Sequence, residues 1–172
     1  MKKLFLLLIL IVLVFNANAQ SEEQKEYYNN GNIKEIGINE NGERTGEWKF
    51  YKENGKLDFI VDYSYGKETS LTKFYFENGQ LESIGNYSGD KETGEWKSYY
   101  ENGQLEDVGK FLDGKLTGEW KYYYESGQLS FIGKYLDGKR TGEWKYYYEN
   151  GQLRLVVNVL DGTQTRECEF YD

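Results

Sequence analysis

The chain repeats itself every 24 residues, without insertion or deletion from Tyr27 onward. Tyr recurs at 27, 51, 75, 99, 123, 147 and 171, and Gly at 31, 55, 79, 103, 127 and 151. Thr stands at 45, 69, 93, 117, 141 and 165, an aliphatic residue at 33, 57, 81, 105, 129 and 153, and a β-branched one at 36, 60, 84, 108, 132 and 156. Trp48, Trp96, Trp120 and Trp144 share one slot, which Thr72 and Cys168 fill in the other copies. A fixed period of this length means an array of one small unit, each burying its apolar surface against its neighbours.

Each unit carries two turn signals. Asn-Gly occurs at 54–55, 78–79, 102–103 and 150–151, with Ser126-Gly127 in the fifth copy. Asp-Gly occurs at 113–114, 137–138 and 161–162, with Asn41-Gly42 and the inverted Gly89-Asp90 at equivalent places. Asn-Gly accepts the two positive φ angles of a type I′ hairpin turn. Runs of about seven residues between turns have ordinary strand length. The pattern predicts about 13 antiparallel strands in one elongated sheet of six tandem hairpins, with the two turn types at alternate ends.

Treating Ser126-Gly127 as a two-residue loop sets Tyr124 against Leu129, Tyr122 against Phe131, Trp120 against Gly133 and Gly118 against Tyr135. Opposed residues share a face. One face is then aromatic and aliphatic. The other pairs Glu119 with Lys134, Lys121 with Ile132 and Tyr123 with Ser130. Continuing through Asp137-Gly138 sets Trp144 against Phe131 and Tyr146 against Leu129. The spacing of three between Leu129, Ile132 and Tyr135 resists strict alternation, so either both faces are partly buried or a bulge shifts the register.

Residues 1–19 read as a signal peptide. Lys2 and Lys3 precede twelve apolar residues, Leu4 to Phe15, and Ala17-Asn18-Ala19 offers a cleavage site. The apolar run is short of the roughly 20 residues that span a bilayer. The expected mature chain, 20–172, is the repeat array, with no integral membrane segment after cleavage, placed in the periplasm, at the cell surface or outside the cell. Its 19 basic and 29 acidic residues give a net charge of −10, which repels nucleic acid and anionic lipid. The ends read as polar caps, with Glu22, Glu23, Lys25 and Glu26 at one and Arg166, Glu167 and Glu169 at the other. The lone Cys168 can form no internal disulfide.

The stretch 133–151, with Tyr135, Gly138, Gly142, Trp144 and the closing Asn150-Gly151, resembles a MORN repeat, specifically its bacterial variant. The resemblance extends over residues 27–172. It implies a strongly twisted sheet of stacked hairpins and a scaffold or adaptor rather than a catalyst. Some members are labelled antitoxin components, a cytoplasmic role that the signal peptide argues against. The third copy departs, with Ser70 and Thr72 in place of Gly and Trp, and is expected to pack loosely.

With no His in the chain, the usual general base and the commonest metal ligand are missing. No enzyme activity, metal or cofactor is expected. The column Glu47, Glu95, Glu119 and Glu143 reads as a solvated ladder of ion pairs with Lys49, Lys97, Lys121 and Lys145. The Asp-Gly turns lack the acidic run of a calcium loop. The aromatic face is the candidate binding surface, with Trp48, Trp96, Trp120 and Trp144 as its core or its contacts. The second aromatic slot varies (Phe50, Phe74, Ser98, Tyr122, Tyr146, Phe170), as does the third (Lys52, Phe76, Tyr100, Tyr124, Tyr148, Asp172). Packing against identical neighbours favours identity, so variation points to a rim meeting something else. Tyr100, Tyr124 and Tyr148 are therefore the expected partner-binding residues. The expected partner is a protein, with a glycan stacking on the aromatic rings as the second reading.

Overall fold

The computed structural model describes residues 20–160 and 163–170, apart from the side chains at 69–70 and 164–170. The expected signal peptide, residues 1–19, together with the Asp161-Gly162 turn, Tyr171 and Asp172, lies outside the described residues. Thirteen strands form one antiparallel sheet in strict chain order. They are β1 (Ser21–Tyr27), β2 (Ile33–Glu40), β3 (Glu43–Tyr51), β4 (Leu57–Ser64), β5 (Lys67–Tyr75), β6 (Leu81–Ser88) and β7 (Lys91–Tyr99). Then follow β8 (Leu105–Leu112), β9 (Lys115–Tyr123), β10 (Leu129–Leu136), β11 (Lys139–Tyr147), β12 (Leu153–Leu160) and β13 (Thr163–Phe170). Extensive strand contacts join sequence neighbours only, so among the described residues no second layer covers the sheet.

The two turn classes differ from the expectation in an instructive way. At the Asp-Gly positions both central residues have positive φ: Asp113 at 51° with Gly114 at 76°, and Asp137 at 50° with Gly138 at 78°. These are the type I′ turns. At the Asn-Gly turns 54–55, 78–79, 102–103 and 150–151, and at Ser126-Gly127, only the Gly is positive. There the Tyr124 carbonyl accepts from Gly127 N and the Tyr124 N–H donates to the Gln128 carbonyl, which makes a three-residue loop ending in a left-handed Gly. The Asn side chain favours this form, because its Oδ1 accepts the N–H two residues on, as from Gln104 to Asn102 at 2.8 Å. Its Nδ2 in turn reaches the next repeat, from Asn102 to the Glu125 carbonyl at 2.9 Å and from Asn30 to Glu53 at 2.8 Å. Asn thus ties adjacent loops together as well as shaping its own.

The longer loop corrects the register. Tyr122, Trp120 and Gly118 oppose Phe131, Gly133 and Tyr135 as expected, but Leu129 faces Tyr123, not Tyr124, across a bulge at Ser130. That bulge accounts for the spacing of three: Leu129 joins Ile132 on the charged face, while Phe131 and Tyr135 stay on the aromatic one. Across the other hairpin, Tyr146 faces Phe131, and Trp144 does not. Gly142, Glu143 and Trp144 together bulge opposite Gly133, with Gly142 at φ 69°. Both of the sequence's alternatives hold, since Ile60 and Val156 on the charged face are also buried.

Each Trp lies on a glycine of the preceding strand, eleven residues back. A Cβ on Gly37, Gly85, Gly109 or Gly133 would sit 2.1–2.3 Å from the ring of Trp48, Trp96, Trp120 or Trp144. Trp120 thus covers Gly109 and leaves Gly133, its partner across the strands, to Trp144. Indole N–H groups donate to the carbonyl after the glycine: Trp48 to Ile38 at 3.2 Å, Trp96 to Asn86 at 3.0 Å and Trp120 to Lys110 at 3.1 Å. The exceptions obey the same geometry. Where Thr72 and Cys168 replace Trp, Val61 and Val157 replace the glycine, and Thr72 and Val61 oppose each other, both buried. The Trp slot of the third repeat is filled by different residues, which are buried.

Candidate functional site

All four Trp are core, between 0 and 8 % exposed. They anchor a row of side chains that crosses the whole sheet in register. Glu35 opposes Phe50, which opposes Phe59, then Phe74 and Ser83. The row continues through Ser98, Asp107, Tyr122, Phe131, Tyr146 and Leu155. Rings within it stack, with centroids 4.5 Å apart for Phe50 and Phe59 and 4.2 Å for Tyr122 and Phe131. Outside it, Tyr87, Phe111 and Tyr135 meet Trp96, Trp120 and Trp144 edge-on at 5.1–5.2 Å. Offset and edge-on pairs are the favoured aromatic arrangements and add about 0.5–1.5 kcal/mol each beyond burial. Apart from the buried Glu35, the row's members are only half-buried, because among the described residues nothing but the sheet's own twist lies above them. The varying second slot of the sequence is this row.

Two arginines cap the row near its ends. Arg44 lies 3.9 Å above the Trp48 ring and forms an ion pair with Glu35. Arg140 lies 4.4 Å from the Trp144 centroid and donates to the Tyr146 hydroxyl at 3.1 Å. In the middle the rings give way to Ser83, Ser98 and Asp107. Burial holds the Asp107 carboxyl above the ordinary aspartate range, with a hydrogen bond to Ser98 opposing the shift. Tyr122 beside it is also pushed upward, chiefly by burial and then by its hydrogen bond with Tyr135.

The three tyrosines expected to meet a partner do not share one environment. Tyr100 donates its hydroxyl to the Tyr123 carbonyl at 2.6 Å, and Tyr124 donates to Tyr147 at 2.8 Å. Tyr28, in the same slot, bonds Tyr51 likewise. These hydroxyls fasten each loop to the next repeat, and only the ring faces remain for a partner. Tyr148 is 43 % exposed, with the Arg154 guanidinium 5.8 Å from its ring. The slot marks the rim at the Asn-Gly end of the sheet.

On the opposite face the carboxylate column sits in an ion-pair ladder. Lys97 meets Glu95 at 2.9 Å and Lys145 meets Glu143 at 3.0 Å, while Glu119 lies opposite Lys134. Exposed pairs of this kind contribute about 0–1 kcal/mol each. Among the described residues no group of His, Cys, Asp or Glu has the geometry to hold a metal ion. No described helix is long and apolar enough to cross a membrane.

The profile of the MORN repeat variant family matches residues 23–38, 44–65, 69–88, 92–113, 116–137 and 140–161, one match for each hairpin unit. Among solved structures, the chain is similar to the GtfA/B complex bound to UDP and GlcNAc. The identity is 15 % and the TM-score 0.30, over 66 % of this chain and 23 % of that one. This chain therefore spans about a quarter of the length of that protein. No curated protein matches it.

Proposed function

Because the chain belongs to the MORN repeat variant family and carries its aromatic row on a sheet that no second layer covers among the described residues, we propose that it is an exported, non-catalytic scaffold that holds a protein partner along that row. The half-buried row is the observation that carries the reading. The face combines large apolar rings with polar tips, the composition enriched where proteins meet. It runs across the strands as a continuous stripe, which suits an extended partner. Tyr100, Tyr124 and Tyr148 form its rim and contribute ring faces, since the hydroxyls of the first two are engaged within the array. Export rests on Lys2, Lys3, the apolar run to Phe15 and the Ala17–Ala19 site, and places the work in the cell envelope or beyond it.

Regularly spaced rings also suit sugar stacking, which makes a glycan of the cell wall the second reading. An antitoxin or immunity role is a third, and export speaks against its cytoplasmic form. A pull-down from envelope extract, run beside sedimentation with insoluble peptidoglycan, separates the first two. The scaffold reading expects a protein retained by the wild-type array and released when Phe131 and Tyr146 are changed to Ser in a variant that still melts cooperatively. Co-sedimentation with peptidoglycan and no retained protein would replace it with the glycan reading.

A further inference from the structure

The row's polar window is a vacancy in a pattern that the chain fills elsewhere with arginine. Slot by slot, Asp107 is the equivalent of Glu35, three periods on, and Trp120 is the equivalent of Trp48. In the first unit Arg44 lies over Trp48 and joins Glu35, nine residues before it. Nine residues after Asp107 stands Leu116, which has no charge to offer. Among the described residues no Lys or Arg forms an ion pair with Asp107. Burial, Ser98 and Glu106 act on its titration, and none of them is a cation.

The missing side chain leaves room. Ser83 and Ser98 replace the rings found at Phe50, Phe59 and Phe74, and Asp107 is one methylene shorter than Glu35. The result is an open depression of about 320 Å³, the small end of ligand-sized pockets. Trp96, Phe111, Trp120 and Tyr122 wall it, and Asp107 and Glu92 bring carboxylates to it. Aromatic faces beside a carboxylate favour a cation that can stack and accept a planar, forked pairing, which a guanidinium does better than an ammonium. The chain itself makes that choice, since the slot of Arg44 and Arg140 holds no Lys in any unit.

We propose that the depression at Asp107 is a receptor for an arginine side chain of the partner, which enters between the rings that wall it and pairs with Asp107 as Arg44 does with Glu35. This deepens the scaffold reading by naming the partner's chemistry at one point of contact. The acidic net charge of the array, −8 for the whole chain, draws such a residue in.

The test needs no identified partner. N-acetyl-arginine methylamide is titrated into the mature protein while the indole N–H resonances of its four Trp are followed by NMR. The citrulline and lysine analogues serve as neutral and ammonium controls. We expect saturable shifts at Trp96 and Trp120, with a dissociation constant on the order of millimolar as befits a single side chain, and little change at Trp48 and Trp144, whose arginines are already in place. The citrulline analogue should bind at least tenfold more weakly, as should the arginine analogue to D107N. L116R should abolish the shifts and raise the melting temperature by supplying the missing side chain internally. Equal binding of citrulline or lysine, binding unaffected by D107N and L116R, or no saturable shift would each overturn the proposal. A failed probe with a successful pull-down sinks the arginine site alone, and the reverse sinks the scaffold reading alone.

Discussion

Replacing Gly109 by Ala tests the element on which the packing turns. The added methyl would lie 2.1 Å from Cδ2 and 2.2 Å from Cε2 of Trp120. Both atoms belong to a rigid ring, so the indole must lift, stretching its 3.1 Å bond to the Lys110 carbonyl and its edge-on contact with Phe111. Overpacking of this kind costs about 1–3 kcal/mol. Trp120→Ala removes the ring itself, at about 3–5 kcal/mol for a buried large aromatic. In the double variant the methyl of residue 109 meets no ring and fills part of the space the ring left. The two changes should therefore cost less together than their sum, with a coupling of roughly 1–2 kcal/mol, within the range for residues in contact. Urea titrations of the four proteins, followed by far-UV circular dichroism, give the cycle. Additivity within about 0.5 kcal/mol would show that Gly109 is not reserved for Trp120.

Other consequences follow from single positions. Tyr65 holds φ at 49° in the turn after β4 while 85 % exposed, a conformation that a bulky residue adopts at a cost. Tyr65→Asn should raise stability by about 1 kcal/mol, read as an increase in melting temperature, and no change would remove the strain argument. Tyr124→Phe deletes the bond to the Tyr147 carbonyl and should cost about 0.5–1.5 kcal/mol, whereas Tyr148→Phe should cost nothing measurable. Changing Tyr100, Tyr124 and Tyr148 together to Ser should lower both melting temperature and partner retention. Full retention would remove the rim from the binding surface. Asp107 has a folded pKa raised above its unfolded value, so the folded state holds the proton more tightly and stability falls as pH rises through that interval. D107N should therefore melt higher than wild type at neutral pH and alike near pH 3, and the opposite order at neutral pH would show that the carboxylate is stabilising.

The period, the strand count, the sharing of faces by Trp120, Gly133 and Tyr135, and the Lys–Glu ladder were legible because each is a property of one unit read many times. What escaped was geometry that depends on the backbone between units. Asn-Gly looks like a type I′ turn by dipeptide alone, but the backbone bonds of these loops close the longer form, in the Ser126-Gly127 loop as in the Asn-Gly ones. That one residue of loop length moved Leu129 to the other face. The Trp–Gly pairing across eleven residues was readable in principle, because Thr72 with Val61 and Cys168 with Val157 break it in step. Of the row through Ser83, Ser98 and Asp107 the sequence shows only the variation of the Ser98 slot, since the row's continuity needs the bulges. Variation in their slot points to Tyr100 and Tyr124, whose hydroxyls are bonded to the chain itself, a partner that a single sequence does not reveal.

The central claim is that the aromatic face, and not the Lys–Glu face, meets the partner. Hydroxyl-radical footprinting reads it directly, because the two faces carry separate sets of oxidisable rings on the same strands. With the partner retained from envelope extract, Tyr122, Phe131 and Tyr146 should be protected, while Tyr99, Tyr123 and Tyr147 on the opposite face should oxidise as in the free protein. Protection confined to Tyr99, Tyr123 and Tyr147 would contradict the account.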